Sequence, residues 1–355
     1  KNLQLKAYGA YGFKDEKFKY RAFGEYVIDR KKWSKVGAFI KNDVELIGLT
    51  DEENHPSALY DAFALFGTNQ INRSLTKSLW LEKELMKGYT QYFDVRHKSF
   101  AFEEIGDFNF GFYSSPDDRS SIKSNFDITS IRLKGRLSNK EQFVYRRTNR
   151  YSMGNLKAPV LTIDYTHSFD NVLGGDFKFD KIGFELWQFN SFGNWGTFEY
   201  TIKAYRTFGE APYPSLFIMQ GNPSFFSNRQ AYNLMDFFEF AADQYLSFDY
   251  EHQFNGLIMN RIPLAKKLKW RSFINTKGVL GTMSDANKLL MPLNQENYTV
   301  PRFFEGNKPY VEVGYGIENI FRFIRIDFIH RITYIDENHS NAQPFGVKFN
   351  AVIRF

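Results

Sequence analysis

The strongest constraint on this chain lies at its end. Phe345, Val347, Phe349, Ala351, Ile353 and Phe355 fall on one parity, and Gly346, Lys348, Asn350 and Arg354 fall on the other. Only an extended strand has a side-chain period of two, so Pro344 to Phe355 reads as a strand with one apolar and one polar face. A terminal aromatic suits a membrane interface better than a solvated tail, and the segment reads as the closing strand of an outer-membrane β-barrel. The alternative is an edge strand of a soluble sandwich.

Composition separates the two. The mean hydropathy of -0.45 resembles that of a soluble protein, and no window approaches the run of about 18 uncharged apolar residues that a membrane helix needs. That argues against helical spans but not against a barrel, where only every second strand residue meets lipid. With 39 Phe and 21 Tyr, aromatics reach 18%, enough to furnish girdles at two membrane interfaces. The absence of cysteine excludes disulfides and thiolate metal sites. The net charge of +6 comes from interleaved charges rather than a basic patch, so no nucleic-acid partner is expected. A start at Lys1, already strand-like and without a signal peptide, leads us to expect a single barrel domain over residues 1–355 preceded by a periplasmic portion.

The alternation of Leu3, Leu5, Ala7, Gly9, Tyr11 and Phe13 gives a first strand able to pair with the last, so Leu3, Leu5 and Tyr11 face a seam closed by Phe345, Val347, Phe349, Ile353 and Phe355. Strands follow at Phe18–Ile28 and Ser34–Leu46. A large loop, Ile47–Thr76, then carries a short helix near Pro56–Phe63. Further strands are expected at Lys77–Tyr92, Ser99–Tyr113, Phe126–Leu137, Gln142–Thr148, Pro159–His167, Phe177–Asn190, Thr197–Thr207, Tyr232–Phe240, Tyr245–Phe254, Trp270–Leu280, Tyr310–Glu318 and Arg322–Ile335. The fold class is therefore all-β, a transmembrane antiparallel β-barrel of about 16 strands with a short helix in an extracellular loop. With the C-terminus periplasmic, Ile47–Thr76 and Gly281–Lys308 lie outside the cell. Phe208–Gln230 and Asn255–Leu268 then become unusually long periplasmic turns. Removing the weak strand near Tyr232 would move Phe208–Asp243 outside as one loop, at the cost of an odd strand count.

Little in the sequence points to chemistry. None of the six histidines has metal-ligand spacing. His167, His252 and His330 share parity with lipid-facing residues and read as interface-girdle histidines, because no serine stands out to complete a triad. Asp51, Glu52, Glu53 and Asp61 read as a solvated acidic loop, lacking the Asp/Asn/Gly pattern of a calcium site. Inward-facing Arg132, Lys134, Arg136, Arg325 and Arg331 stand against Glu251, Glu312 and Asp327, lining an ion path or forming a salt-bridged network that fills the lumen. Phosphate loops, nucleophile elbows and dinucleotide fingerprints are absent, so neither catalysis nor a cofactor is expected.

The runs PYPSLFIMQGNPSFF, YNLMDFFEF, LSFDYEHQFNGLIMNRIPLAKKLKW, PYVEVGYGIENIFRFIRIDFIHRITY and FGVKFNAVIRF, within Pro212–Phe355, resemble a family of Bacteroidota outer-membrane proteins of unknown function. YSMGNLKAPVLTIDYTHSF at Tyr151–Phe169 resembles it more loosely. The resemblance implies a carboxypeptidase-regulatory-like domain ahead of the barrel. Val311–Asp327 is also similar to the late strands of the barrel-assembly superfamily, whose members insert and fold other outer-membrane proteins; that superfamily's arginine-glycine-aromatic loop motif is absent here. These resemblances imply an accessory subunit in outer-membrane assembly, bounded by outer-membrane lipids and partnered by other barrels or lipoproteins. The charge rows keep a transport pore as the alternative, and an outward histidine keeps a lipid-modifying enzyme as a third.

Overall fold

The structure, a computed structural model, describes residues 2–13, 16–46, 71–102, 111–114, 121–153, 158–292, 300–335 and 342–351. Its frame is a single antiparallel sheet in which each strand pairs with the next in chain order. The fourteen strands are β1 (Leu3–Gly12), β2 (Lys17–Asp29), β3 (Ser34–Leu46), β4 (Ile71–Met86), β5 (Tyr89–Phe102), β6 (Asn125–Ser138), β7 (Val160–Phe169), β8 (Phe179–Ser191), β9 (Thr197–Gly209), β10 (Gln244–Gln253), β11 (Arg271–Thr282), β12 (Tyr310–Ile320), β13 (Ile324–Arg331) and β14 (Phe345–Ala351). This is the meander of a transmembrane antiparallel β-barrel.

Two of the sixteen expected strands lie elsewhere. Phe143–Arg146 pairs with Asn149–Ser152 in a separate hairpin, because Arg147 takes a positive φ of 56° and reverses the chain within the expected strand. Tyr232–Phe240 joins no sheet: its apolar residues run consecutively instead of alternating, and Phe238 has a φ of 62°. Lys77–Tyr92 also spans a turn. Lys87 and Gly88 connect β4 to β5, and Gly88 has a φ of 83°, the left-handed conformation that two-residue hairpins require. The helix expected near Pro56–Phe63 lies outside the described residues.

Losing two strands keeps the count even and changes the end of the barrel only for the connections that lie between the two, leaving those after β10 where the sequence placed them. The four longest connections, after β3, β5, β9 and β11, all leave from the end opposite the C-terminus, while residues 139–159 after β6 form a connection nearly as long at the C-terminal end. Residues 210–243 are thus one long connection at that end. The connection between β10 and β11 stays at the C-terminal end and holds a short helix, α1 (Pro263–Lys267).

The alternation sets the faces. Phe345, Val347 and Phe349 of β14 stand opposite His330, Phe328 and Ile326 of β13 on the outer surface, while Lys348 and Asn350 stand opposite Asp327 and Arg325 inside. Aromatic-rich packing fills the lumen towards the end opposite the C-terminus. Phe100, Phe126 and Phe179 from strands meet Tyr213, Leu216, Ile218 and Phe238 from residues 210–243, beside Met283 and Met291, which flank helix α2 (Asp285–Leu290). A second cluster joins Met219, Met235 and Phe240 to Val279, Phe304, Tyr310 and Tyr334. The long connection is therefore an inserted plug, held by the same area-driven burial as any core.

Candidate functional site

The plug is fixed by inward side chains of the last six strands. Glu312 on β12 is 2% exposed and accepts the backbone N–H groups of Asn233 and Leu234 at 2.9 and 2.6 Å, together with the Tyr310 hydroxyl at 2.6 Å. Lys277 on β11 donates to the carbonyl of Ala231 at 2.9 Å, and Lys348 on β14 to that of Asn222 at 2.8 Å. Arg331 pairs with Glu239 at 2.6 Å and donates to Leu234 O at 3.1 Å. Arg325 sits between Glu251 at 2.8 Å and Asp327 at 2.7 Å, with its guanidinium carbon 3.6 Å from the centre of the Phe273 ring. From the plug, Arg229 reaches Glu199 at 2.8 Å and Glu251 at 3.9 Å. Buried charges persist only when paired and hydrogen-bonded, and this network meets that requirement by using the loop backbone as partner.

Of the expected charge rows, Glu251, Glu312, Arg325, Asp327 and Arg331 thus come together around the plug. Arg132, Lys134 and Arg136 do not. They lie on β6, where Arg132 Nε donates to both carboxylate oxygens of Asp164 on β7 at 2.9 and 3.0 Å, and Arg136 pairs with Glu141 at 2.6 Å beyond the strand end. Lys134 lies between them, opposite Asp164 in register. Burial pushes the Glu141 carboxyl up, but hydrogen bonds from Arg136, Ser138 and Ser152 outweigh it and hold the group below its ordinary value. Between this wall and the plug lies a cavity of about 680 Å3, which Arg132 and Asp164 line.

The seam is the second feature. Among the described residues β1 pairs only with β2, and Leu3, Leu5 and Tyr11 are exposed, as are Lys6, Tyr8 and Ala10 on its other face. The outer edge of β14 is engaged instead by the plug. Phe226 and Phe349 form a parallel bridge: the Phe349 N–H donates to Phe225 O at 2.9 Å, and the Ser227 N–H donates to Phe349 O at 2.7 Å. Asn350 and Asp327 hold Ser227 through its carbonyl and hydroxyl at 3.1 Å each. Phe225 remains 75% exposed. Ile353 and Phe355 lie outside the described residues.

His167, His252 and His330 sit near strand ends on the outer face. His330 stacks on Tyr315 and meets Phe345, and His252 Nε2 lies 2.9 Å from Trp195 O. His167 does gain an acid partner, Asp180 at 2.7 Å, but the hydroxyl beside it is the Tyr165 phenol rather than a serine. No group of metal-ligating side chains occurs among the described residues, and the acidic loop of Asp51, Glu52, Glu53 and Asp61 lies outside them. The sequence reading missed Lys277, Glu239, Asn222 and Asn233. Their signal was present: a connection carrying many aromatics together with Asn222, Asn228 and Asn233 is a buried, turn-rich segment rather than a solvated one.

A family model described as the C-terminal domain of a family of unknown function, DUF5686, matches residues 77–285, more than half of the chain. The chain belongs to the DUF5686 family. No curated protein matches it. Among solved structures, BamA from Haemophilus ducreyi lacking POTRA domains 1–3 superposes on this DUF5686 domain with a TM-score of 0.51 at 9% identity, covering 98% of this chain and 69% of that one. At that identity the likeness shows the fold, an outer-membrane β-barrel. OccK11 (OpdR) from Pseudomonas aeruginosa covers 98% and 91% at 6% identity, with a TM-score of 0.30.

Proposed function

We propose that this chain is a non-enzymatic outer-membrane barrel that assists outer-membrane protein assembly and works at its seam. The observation that carries the reading is the edge of β14, whose outward backbone groups at Phe349 are held by three residues of a loop and not by β1. An open strand edge is a template for another strand, and such addition supplies affinity through main-chain hydrogen bonds. The partners of this reading are other barrels or lipoproteins, with lipids against the outer aromatic surface. The C-terminal end faces the periplasm, which points the plug and the other long connections outward. Depleting the full-length protein in its host, then measuring folded levels of other outer-membrane barrels by heat-modifiable gel mobility, tests it. A general fall before viability drops supports assembly; unchanged levels reject it.

The cavity of about 680 Å3 favours a second reading, a transport pore. Single-channel conductance that changes on Arg132→Glu supports it, and an electrically silent protein removes it.

A further inference from the structure

The wall formed by β2 to β5 carries polar groups that the plug clamp does not reach. Arg21 on β2 and Arg96 on β5 place their guanidinium carbons 5.7 and 5.8 Å from the ring centre of Phe39 on β3, and all three line the cavity. Asp94 orients Arg96 from behind at 2.8 Å. Arg21 has no carboxylate partner among the described residues: it meets the rings of Phe23 and Phe39, and its Nε is buried without an acceptor. On β4, Asn72 lines the same cavity, is 2% exposed, and its side-chain nitrogen has no acceptor. Ser74, two residues along on the same face, is 1% exposed with an unpartnered hydroxyl.

Buried donors without acceptors are costly, and these, one on β2 and two on β4 across β3, call for something to accept. The charge has the matching sign. Of the ionisable groups that these four strands present to the cavity, Arg21, Arg96 and Lys98 are basic and Glu45 alone is acidic, already paired with Lys98 at 2.6 Å and Lys41 at 3.1 Å. A guanidinium fork matches phosphate in shape as well as charge. We infer that this wall of the lumen is a phosphate-binding site, with Arg21 and Arg96 as the clamp and the donors of Asn72 and Ser74 further along the β4 face of the same wall. The site stands whether the barrel works at its seam or as a pore.

A free phosphate or a phosphate carried by a lipid headgroup satisfies the same donors, so the test has two arms. Full-length protein in phosphate-free detergent is titrated with inorganic phosphate, and separately with short-chain phosphatidic acid in mixed micelles, by calorimetry. Saturable binding in at least one arm is expected, weakened about tenfold or more by Arg21→Gln and left unchanged by Lys266→Gln in α1. Binding of inorganic phosphate identifies a solute site, and binding of the lipid alone a headgroup site. Where Arg21→Gln does not fold by gel mobility, Arg21→Lys, which keeps the charge but loses the fork, is expected to weaken binding by a smaller factor. No binding in either arm, or wild-type binding by the folded Arg21 variant, overturns the inference.

Discussion

At the scale of single residues, Glu312 shows how a barrel holds a loop within its lumen. Its two oxygens take the N–H groups of Asn233 and Leu234, so the carboxylate closes the backbone of a segment that has no strand neighbour there. Glu312→Ala strands both donors, at about 1–3 kcal/mol for each. The expected result is amide exchange at Asn233 and Leu234 faster by roughly tenfold to hundredfold, and new protease cleavage within residues 220–239, while heat-modifiable mobility of the barrel persists. Glu312→Gln keeps one acceptor and should fall between. Protection equal to wild type in the alanine variant would show that the plug is held by its apolar contacts alone. Arg136→Ala, by contrast, removes a more exposed ion pair outside the plug network and should leave exchange within the plug unchanged.

At the scale of elements, the short contact between the plug and β14 makes the seam exchangeable. Among the described residues one residue of β14, Phe349, is bridged to the plug, and parallel pairing is slightly less stable per residue than antiparallel. Because the chain has no cysteine, Phe226→Cys with Phe349→Cys forms a clean disulfide probe across that bridge. If an incoming strand has to displace Phe225–Ser227, the oxidised double variant should lose its support of barrel assembly and recover it on reduction; equal activity in both states would sink the exchange. The hairpin of residues 143–152 behaves differently, since a carboxylate helps tie it down. Glu141 is held below its ordinary value of 4.5, so its contribution is present above that value and is lost as pH falls through the lower folded value. The protection of residues 143–152, taken as intrinsic over observed amide exchange rate at each pH, should therefore fall on the acid side of pH 4.5, and Glu141→Gln should flatten that dependence.

At the scale of the whole molecule, most of the barrel was legible because a period of two is visible in any strand with one lipid face. Phe18–Ile28, Tyr245–Gln253 and Phe345–Ala351 all lie in strands with the faces that the alternation assigns, the expected Phe254 falling just past its strand end. What the alternation could not carry was the plug. Tyr232–Phe240 is as apolar as a strand but buries Leu234, Met235, Phe238 and Phe240 in a lumen assembled from distant segments, and local periodicity holds no trace of that. The charge rows were legible as inward residues and not as a clamp, since Glu312 and Arg331 also find backbone partners on a loop that lies, for Arg331 and Leu234, nearly a hundred residues away. This division sets the expected electrical behaviour. With residues 210–243 packed inside and tied by Lys277, Glu312, Arg331 and Lys348, the wild-type barrel should pass little current in planar bilayers. Combining Glu312→Ala with Arg331→Ala removes two of those ties and leaves Glu239 without its partner, which should loosen the plug and raise both conductance and its noise. High wild-type conductance unaffected by the double variant would mean that current flows past the plug through the cavity beside Arg132 and Asp164, and the pore reading would then take precedence over the seam.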